Sequence, residues 1–91
     1  MKLYQIFIKE CPALEQLRHL HNCQPYNYRL VIDQIWNLAE NPRPLNCQRI
    51  AKTEGWRIYV LDYRIIYIIY DRDRIIHVLN ISPKVNLDAE A

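Results

Sequence analysis

Arginine side chains stand inside the apolar, strand-like runs of the second half of the sequence. Arg57 follows Trp56 at the start of one run, and Arg64 lies within Asp62–Tyr67, a run of β-branched and aromatic residues. A cation set into such a strand is costly unless one face of the sheet is open to an anion. A guanidinium group holds two phosphate oxygens at once through its planar fork. The pattern therefore predicts a polyanionic partner, and we expect that partner to be RNA.

RNA cleavage by 2′-hydroxyl attack needs a base, an acid and cations on the phosphate, and it requires no metal. Arg64 and Arg57 are candidates for the phosphate contacts. Tyr59 is a candidate for stacking on a base or donating a proton. His77 is the one histidine in the second half of the sequence, but its parity predicts a packed side chain on the core-facing side of its strand, with Ile75, Leu79 and Ile81.

Ordinary structural roles remain open for the same cations. Arg64 has Asp62 and Asp71 as nearby partners for an ion pair, and Arg57 has Glu54. Such pairs near a protein surface contribute little to stability. The sequence alone leaves both alternatives standing.

Composition describes one small domain with a modest excess of positive charge. The chain has 91 residues, a hydrophobic fraction of 51% and a formal net charge of +2. This length normally forms a single core. Between residues 48 and 84, seven Lys or Arg outnumber four Asp or Glu. This excess adds Arg49 and Lys52 to the candidates for RNA contact.

Other classes of protein find no support in the sequence. The three cysteines, Cys11, Cys23 and Cys47, lack metal-ligand spacing. We expect no signal peptide, because the first residues lead directly into strand-like alternation, and no apolar run reaches the ~18 residues of a membrane span. We therefore expect a cytoplasmic protein with reduced thiols, no metal, no cofactor and no membrane partner.

The hydrophobic period changes from helical to strand-like after Pro44. It predicts a first strand over 2–9, helices over 12–22 and 26–40, a short strand within 47–51, and adjacent antiparallel strands over 56–61, 63–70 and 74–82. Gly55, Leu61–Asp62 and 71–73 are read as turns. Strands that follow helices indicate an α+β domain over 1–84, with a loose tail over 85–91.

The helices are expected to cover one face of this sheet. Alternation along the strands places one basic and aromatic set on the other face, Arg57, Tyr59 and Arg64. If the last strand turns its even-numbered residues to the same face, we expect three more residues beside them, Asn80, Ser82 and Lys84.

These motifs, in their order along the chain, resemble the RelE/ParE superfamily of bacterial toxins. The resemblance covers residues 26–84 and is carried by Asn-Pro-Arg-Pro at 41–44, Glu-Gly-Trp-Arg-Ile at 54–58, Asp-Tyr-Arg-Ile-Ile-Tyr at 62–67 and Arg-Ile-Ile at 74–76. It implies a β-α-α-β-β-β fold with a small antiparallel sheet. It also implies a toxin of a type II toxin–antitoxin pair, neutralised by a small cognate antitoxin.

The resemblance implies roles for individual residues. Arg64 matches the strand arginine with which RelE-type enzymes hold the scissile phosphate, Arg57 matches a basic RNA contact, and Lys84 matches a further cation after the last strand. The resemblance therefore implies, as an expectation, a metal-independent endoribonuclease that cuts mRNA on the ribosome and inhibits translation. The sequence departs from the family pattern at Leu61, which replaces a turn glycine, and in Ser82-Pro83-Lys84. A ParE-like inhibitor of DNA gyrase and a catalytically degenerate, partner-binding member therefore remain alternatives.

Overall fold

Two helices pack on one face of a five-stranded sheet, as the expected α+β class requires. The structure, a computed structural model, describes residues 3–83. Its elements, in chain order, are β1 (Gln5–Ile8), a π-helical turn (Glu10–Leu14), α1 (Glu15–Cys23), α2 (Pro25–Asn37), β2 (Gln48–Arg49), β3 (Gly55–Val60), β4 (Tyr63–Tyr70) and β5 (Ile75–Pro83). The expected tail and Lys84 lie outside the described residues.

The two helices fall where the 3.6-residue period predicted them, with different ends. Regular α-helix begins at Glu15 rather than Pro12, after the turn Glu10–Leu14, in which Cys11 is extended (φ −136°, ψ 125°). A residue that precedes a proline avoids helical angles, which explains the extended conformation of Cys11. At the other end α2 stops at Asn37, and the next residues tighten into a turn before Asn41. Neither helix of residues 3–83 has the length and apolar character needed to cross a bilayer.

The sheet order is β1-β5-β4-β3-β2, and β2 to β5 pair antiparallel. The predicted meander of three antiparallel strands is confirmed. The sheet as a whole is mixed rather than antiparallel, because β1 pairs parallel with β5. This pairing joins residues about 70 positions apart in the chain, so that no local sequence pattern encodes it.

The core lies between the helices and the sheet. Helices contribute buried Leu17, Leu20, Val31 and Ile35, and the sheet contributes Ile58, Ile65, Tyr67, Ile76, Val78 and Ile81. On β3 and β4 these buried positions alternate with less buried ones, as predicted. The cations of those strands therefore point to the other side of the sheet, which we call the open face.

A β-bulge in β5 corrects the prediction for His77. Ile66 pairs with Asn80 while the next residue, Tyr67, pairs with Val78, so that Leu79 is an extra residue. An inserted residue shifts the parity of everything that follows it. Before the bulge the buried residues are therefore Ile76 and Val78, and after it Ile81. The expectation that His77 faces the core is wrong: it lies on the open face, opposite Ile68.

Gly55 opens β3 instead of forming the predicted turn. Its φ is not positive, and the residue of this turn with positive φ is Lys52, at 64°. A Cβ at position 55 would lie 3.3 Å from Cδ1 of Ile50 and 3.4 Å from Oγ1 of Thr53. Close packing under the β2–β3 turn, not backbone freedom, explains why glycine suits this position. The predicted turn at Leu61 is present, with a φ of 55°.

Candidate functional site

The cations of β3 and β4 meet on the open face through the pairing of the strands. Tyr59 lies directly opposite Arg64, and Arg64 lies directly opposite Ser82 on β5. Residues that pair directly share a face of the sheet. Tyr59, Arg64 and Ser82 thus form a row across three strands, which we call the Arg64 row. Arg57 and Asn80, each paired with Ile66, flank this row on the same face.

Arg64 occupies the centre of the sheet, with a strand on either side. Its side chain is half-buried, and its Nε is a buried nitrogen that has no hydrogen-bond partner among residues 3–83. The ion pair with Asp62 or Asp71 that remained open from the sequence does not form; within the described chain, Asp71 pairs with Arg43 instead. A buried donor without an acceptor is unfavourable.

Arg57 is oriented by a neutral side chain. Its Nε and Nη2 donate hydrogen bonds to Oε1 of Gln48, at 3.0 and 2.8 Å. Its guanidinium carbon lies 5.9 Å from the centre of the Tyr59 ring. The alternative pairing with Glu54 is not present among the hydrogen bonds and ion pairs of the described residues. Because an amide does not neutralise the guanidinium, Arg57 keeps its full charge and three further N–H donors for a ligand.

Two predicted site residues, Arg49 and Lys52, do not join this group. Arg49 lies opposite Trp56, on the helix side of the sheet, because neighbours along a strand point to opposite faces. Lys52 is exposed in the turn between β2 and β3. Lys84 falls outside the described residues. Arg57, Tyr59 and Arg64 are therefore the predicted residues that the structure brings together.

His77 shares the open face but not the Arg64 row. It pairs with Ile68, which is four positions from Arg64 along β4, or about 13 Å at ~3.3 Å per residue. Around it the open face is apolar: Phe7 of β1 pairs with His77, and Phe7 and Tyr70 are 51% and 42% exposed. The open face thus has a cationic end and an apolar end. Sequence reasoning missed the apolar end because the partner of Phe7 comes from the far end of the chain.

A second cluster holds the loop after α2 against the sheet. Arg43 donates from Nη1 and Nη2 to the two carboxylate oxygens of Asp71, at 3.2 and 2.7 Å, and the Tyr4 hydroxyl donates to Oδ1 of Asp71 at 2.7 Å. The buried Tyr67 donates its hydroxyl hydrogen to the carbonyl of Pro42 at 2.8 Å. These bonds tie the loop to Tyr67 of β4 and to Asp71, the first residue of the turn between β4 and β5.

The hydrogen bonds of this cluster change the acidity of its members. Those from Arg43 and Tyr4 lower the pKa of Asp71 to about 2. The bond to Asp71 raises the pKa of Tyr4 and that of Arg43. Burial raises the pKa of Tyr67. The cluster is consequently charged and intact throughout the neutral and mildly acidic range.

The Asp71→Asn variant should lose the acid sensitivity that this cluster confers. Asp71 has a lower pKa folded than unfolded, where it is near 3.9, so that its stabilising contribution is complete above about pH 4 and disappears as the pH falls towards 2. The melting temperature of wild type should therefore exceed that of Asp71→Asn at pH 6 and approach it near pH 2. Melting curves over this range, with Asp33→Asn on the exposed surface of α2 as control, measure the difference. A difference in melting temperature that stays constant with pH would show that the charge of the Asp71 carboxylate contributes nothing to stability.

The sequence matches a known protein family, and the fold matches solved structures. The model of the ParE toxins of type II toxin–antitoxin systems matches residues 11–84. Among curated proteins, none matches the sequence significantly. A chain of the archaeal RelE–RelB complex from Pyrococcus horikoshii is similar in structure, with a TM-score of 0.75, 22% identity, and coverage of 90% of this chain and 96% of that chain.

Two further solved structures share the architecture. A mutant of the E. coli toxin RelE in the free state has a TM-score of 0.72 and 18% identity over 97% of this chain and 90% of that chain. The YoeB/ParE toxin from Agrobacterium tumefaciens has a TM-score of 0.76 and 11% identity over 87% of this chain and 96% of that chain. At identities this low, the structural matches establish the fold.

Proposed function

This chain belongs to the ParE toxin family of type II toxin–antitoxin systems, within the RelE/ParE superfamily, and we propose that it is a ribosome-dependent mRNA endoribonuclease that inhibits translation in the cytoplasm. One observation carries the proposal. Arg64 stands in the centre of the open face, with a buried Nε that has no partner among residues 3–83 and with Tyr59 beside it. A guanidinium placed in this way is suited to hold a phosphodiester.

The proposed reaction divides the roles among the residues of the open face. The 2′-oxygen of the RNA forms a bond to the adjacent phosphorus, the bond to the 5′-oxygen breaks, and the 2′-hydroxyl proton is removed while a proton is delivered to the leaving oxygen. Arg64 binds the phosphate oxygens and stabilises the charge that develops on them. Arg57 contacts the neighbouring backbone, and Tyr59 stacks on a base or donates the proton. We assign the role of a further cation to Lys84.

Mapping of RNA ends after induction tests this proposal. Wild type should produce new 5′ ends within translated mRNA, detected by primer extension, and these ends should disappear when ribosomes do not occupy the message. Arg29→Ala, an exposed position on α2 away from the open face, is the matched control and should cleave like wild type. The absence of new mRNA ends with wild type, under conditions that arrest growth, would contradict the proposal.

We also propose that a cognate antitoxin neutralises this protein by covering its open face. The similar structure from Pyrococcus horikoshii is that of a RelE–RelB complex. Phe7 and Tyr70 leave the apolar end of the open face exposed, which is typical of a surface that binds another protein. Co-expression with the product of the adjacent gene should restore growth. Persistent growth arrest with both proteins present would contradict this assignment.

A gyrase inhibitor is the second candidate, and two observations favour it. The matching family model is that of the ParE toxins, and the Arg64 row, Tyr59, Arg64 and Ser82, contains neither a carboxylate nor a histidine. Inhibition by binding needs no acid or base. Supercoiling assays with purified gyrase distinguish the two candidates: inhibition of supercoiling, without cleavage of mRNA, would establish the second.

A further inference from the structure

On the side of the sheet opposite the open face, two arginines converge on one indole ring. Trp56 of β3 is half-buried and packs against the core. The guanidinium carbons of Arg43 and Arg49 lie 5.2 and 5.7 Å from the centre of its ring. Attraction of cations to the face of an indole offsets part of their mutual repulsion. We call this part of the molecule, Arg43, Arg49, Lys52 and Trp56, the Trp56 surface.

The two arginines of the Trp56 surface differ in how they are neutralised. Arg43 has both terminal nitrogens on the carboxylate of Asp71. Arg49 instead donates from Nε and Nη2 to the main-chain carbonyl of Thr53, both at 3.3 Å. A carbonyl orients a guanidinium without neutralising it. Arg49 therefore keeps a full positive charge in a fixed position, with three N–H donors left.

The surface beside Arg49 contains a depression that can receive a ligand. Residues 49–54 line a shallow depression of about 610 Å³ in the β2–β3 turn. Lys52 and Arg49 place two cations in it, and Glu54 places one acid there. The positive φ of Lys52 and the bond of Arg49 to Thr53 fix the shape of this turn.

We propose that the Trp56 surface binds the sugar–phosphate backbone of a second RNA segment, distinct from the strand held at Arg64. This inference rests on the proposed function, since a ribosome surrounds an mRNA-cleaving protein with further RNA. Phosphates are favoured as ligands because a fixed guanidinium fork and a lysine on one surface are the usual contacts to a nucleic-acid backbone. Arg49 and Arg64 point to opposite faces of the sheet, so that each contacts its own segment.

Direct binding of a fluorescein-labelled RNA hairpin, measured by anisotropy over a range of salt concentrations, tests the proposal without requiring activity. Arg49→Gln and Lys52→Asn should each weaken binding, and each should reduce the salt slope by about 1. Asparagine tolerates positive φ, so that Lys52→Asn preserves the turn. Glu54→Gln should strengthen binding, because it removes the one acid of the depression. Arg29→Gln is the control of equal charge change on α2, and thermal unfolding confirms that each variant folds.

The outcomes separate this inference from the proposed function. Weaker hairpin binding by Arg49→Gln and Lys52→Asn, together with tighter binding by Glu54→Gln, supports a second RNA surface even if wild type cleaves no mRNA. Unchanged binding and an unchanged salt slope in folded Arg49→Gln and Lys52→Asn overturn it even if wild type does cleave. If Arg64→Ala removes hairpin binding as fully as Arg49→Gln, the two faces hold one strand and the second segment is wrong. If these variants affect only binding of the antitoxin, the surface recognises an acidic protein and the inference fails.

Discussion

Replacement of Arg64 by alanine should reduce the rate of mRNA cleavage about 10²–10³-fold, the effect of removing one preorganised donor to a developing oxyanion. The side chain emerges from the central strand of the sheet, where pairing with Tyr59 on one side and Ser82 on the other holds its backbone. Its buried Nε has no partner among the described residues, so the substitution breaks no internal ion pair. We expect the variant to fold like wild type.

Arg64→Lys should also lose much of the activity, because an ammonium group cannot reproduce a fork that contacts two oxygens. His77→Ala is the matched control on the same face: it lies about 13 Å from the Arg64 row at ~3.3 Å per residue and should cleave normally. Arg57→Ala should have a smaller effect than Arg64→Ala, since Gln48 already occupies two of its donors. Single-turnover cleavage on programmed ribosomes measures the four rates. Wild-type cleavage by a folded Arg64→Ala protein would refute the catalytic role.

Ile65→Ala should cause the largest loss of stability, about 2–5 kcal/mol of the free energy of unfolding. Ile65 is fully buried in β4, opposite Ile58 on one side and Ile81 on the other. Truncation to alanine leaves a cavity between three strands, which the flanking pairs keep from closing. Small domains have only about 5–15 kcal/mol of stability in total, so the variant should approach the threshold of folding.

The neighbouring residue provides the control for this experiment. Ile66 has the same side chain and belongs to the same strand, but it is half-buried on the open face. Ile66→Ala should therefore lower the free energy of unfolding clearly less than Ile65→Ala does. Urea unfolding measures both losses, provided that the two variants have the same m value. Equal losses for the two variants would show that the helix-covered face is not the main core of this domain.

The cationic end of the open face could be predicted because its information is local. Along β3 and β4 the chain alternates with a period of two, and alternation fixes the face of every residue once one buried position is known. Arg57, Tyr59 and Arg64 were placed correctly by this rule, as were the buried residues Ile58 and Ile65. The helices were found for the same reason, since the 3.6-residue period of α2 is also local.

What the sequence could not supply depends on contacts between distant segments. The bulge at Leu79 moves His77 to the open face, and it exists only in the pairing of β5 with β4. The face on which Arg49 lies depends on the register of the two-residue β2 against β3. Asp71 had several arginines within reach, and the folded loop brought Arg43 to it. The sequence by itself determined which residues alternate along β3 and β4 and that Arg57 and Arg64 share one face of the sheet. Tertiary structure decided the register, the bulge and the choice of ion-pair partner. Each of these depends on contacts between segments that are distant in the chain and that meet only in the folded protein.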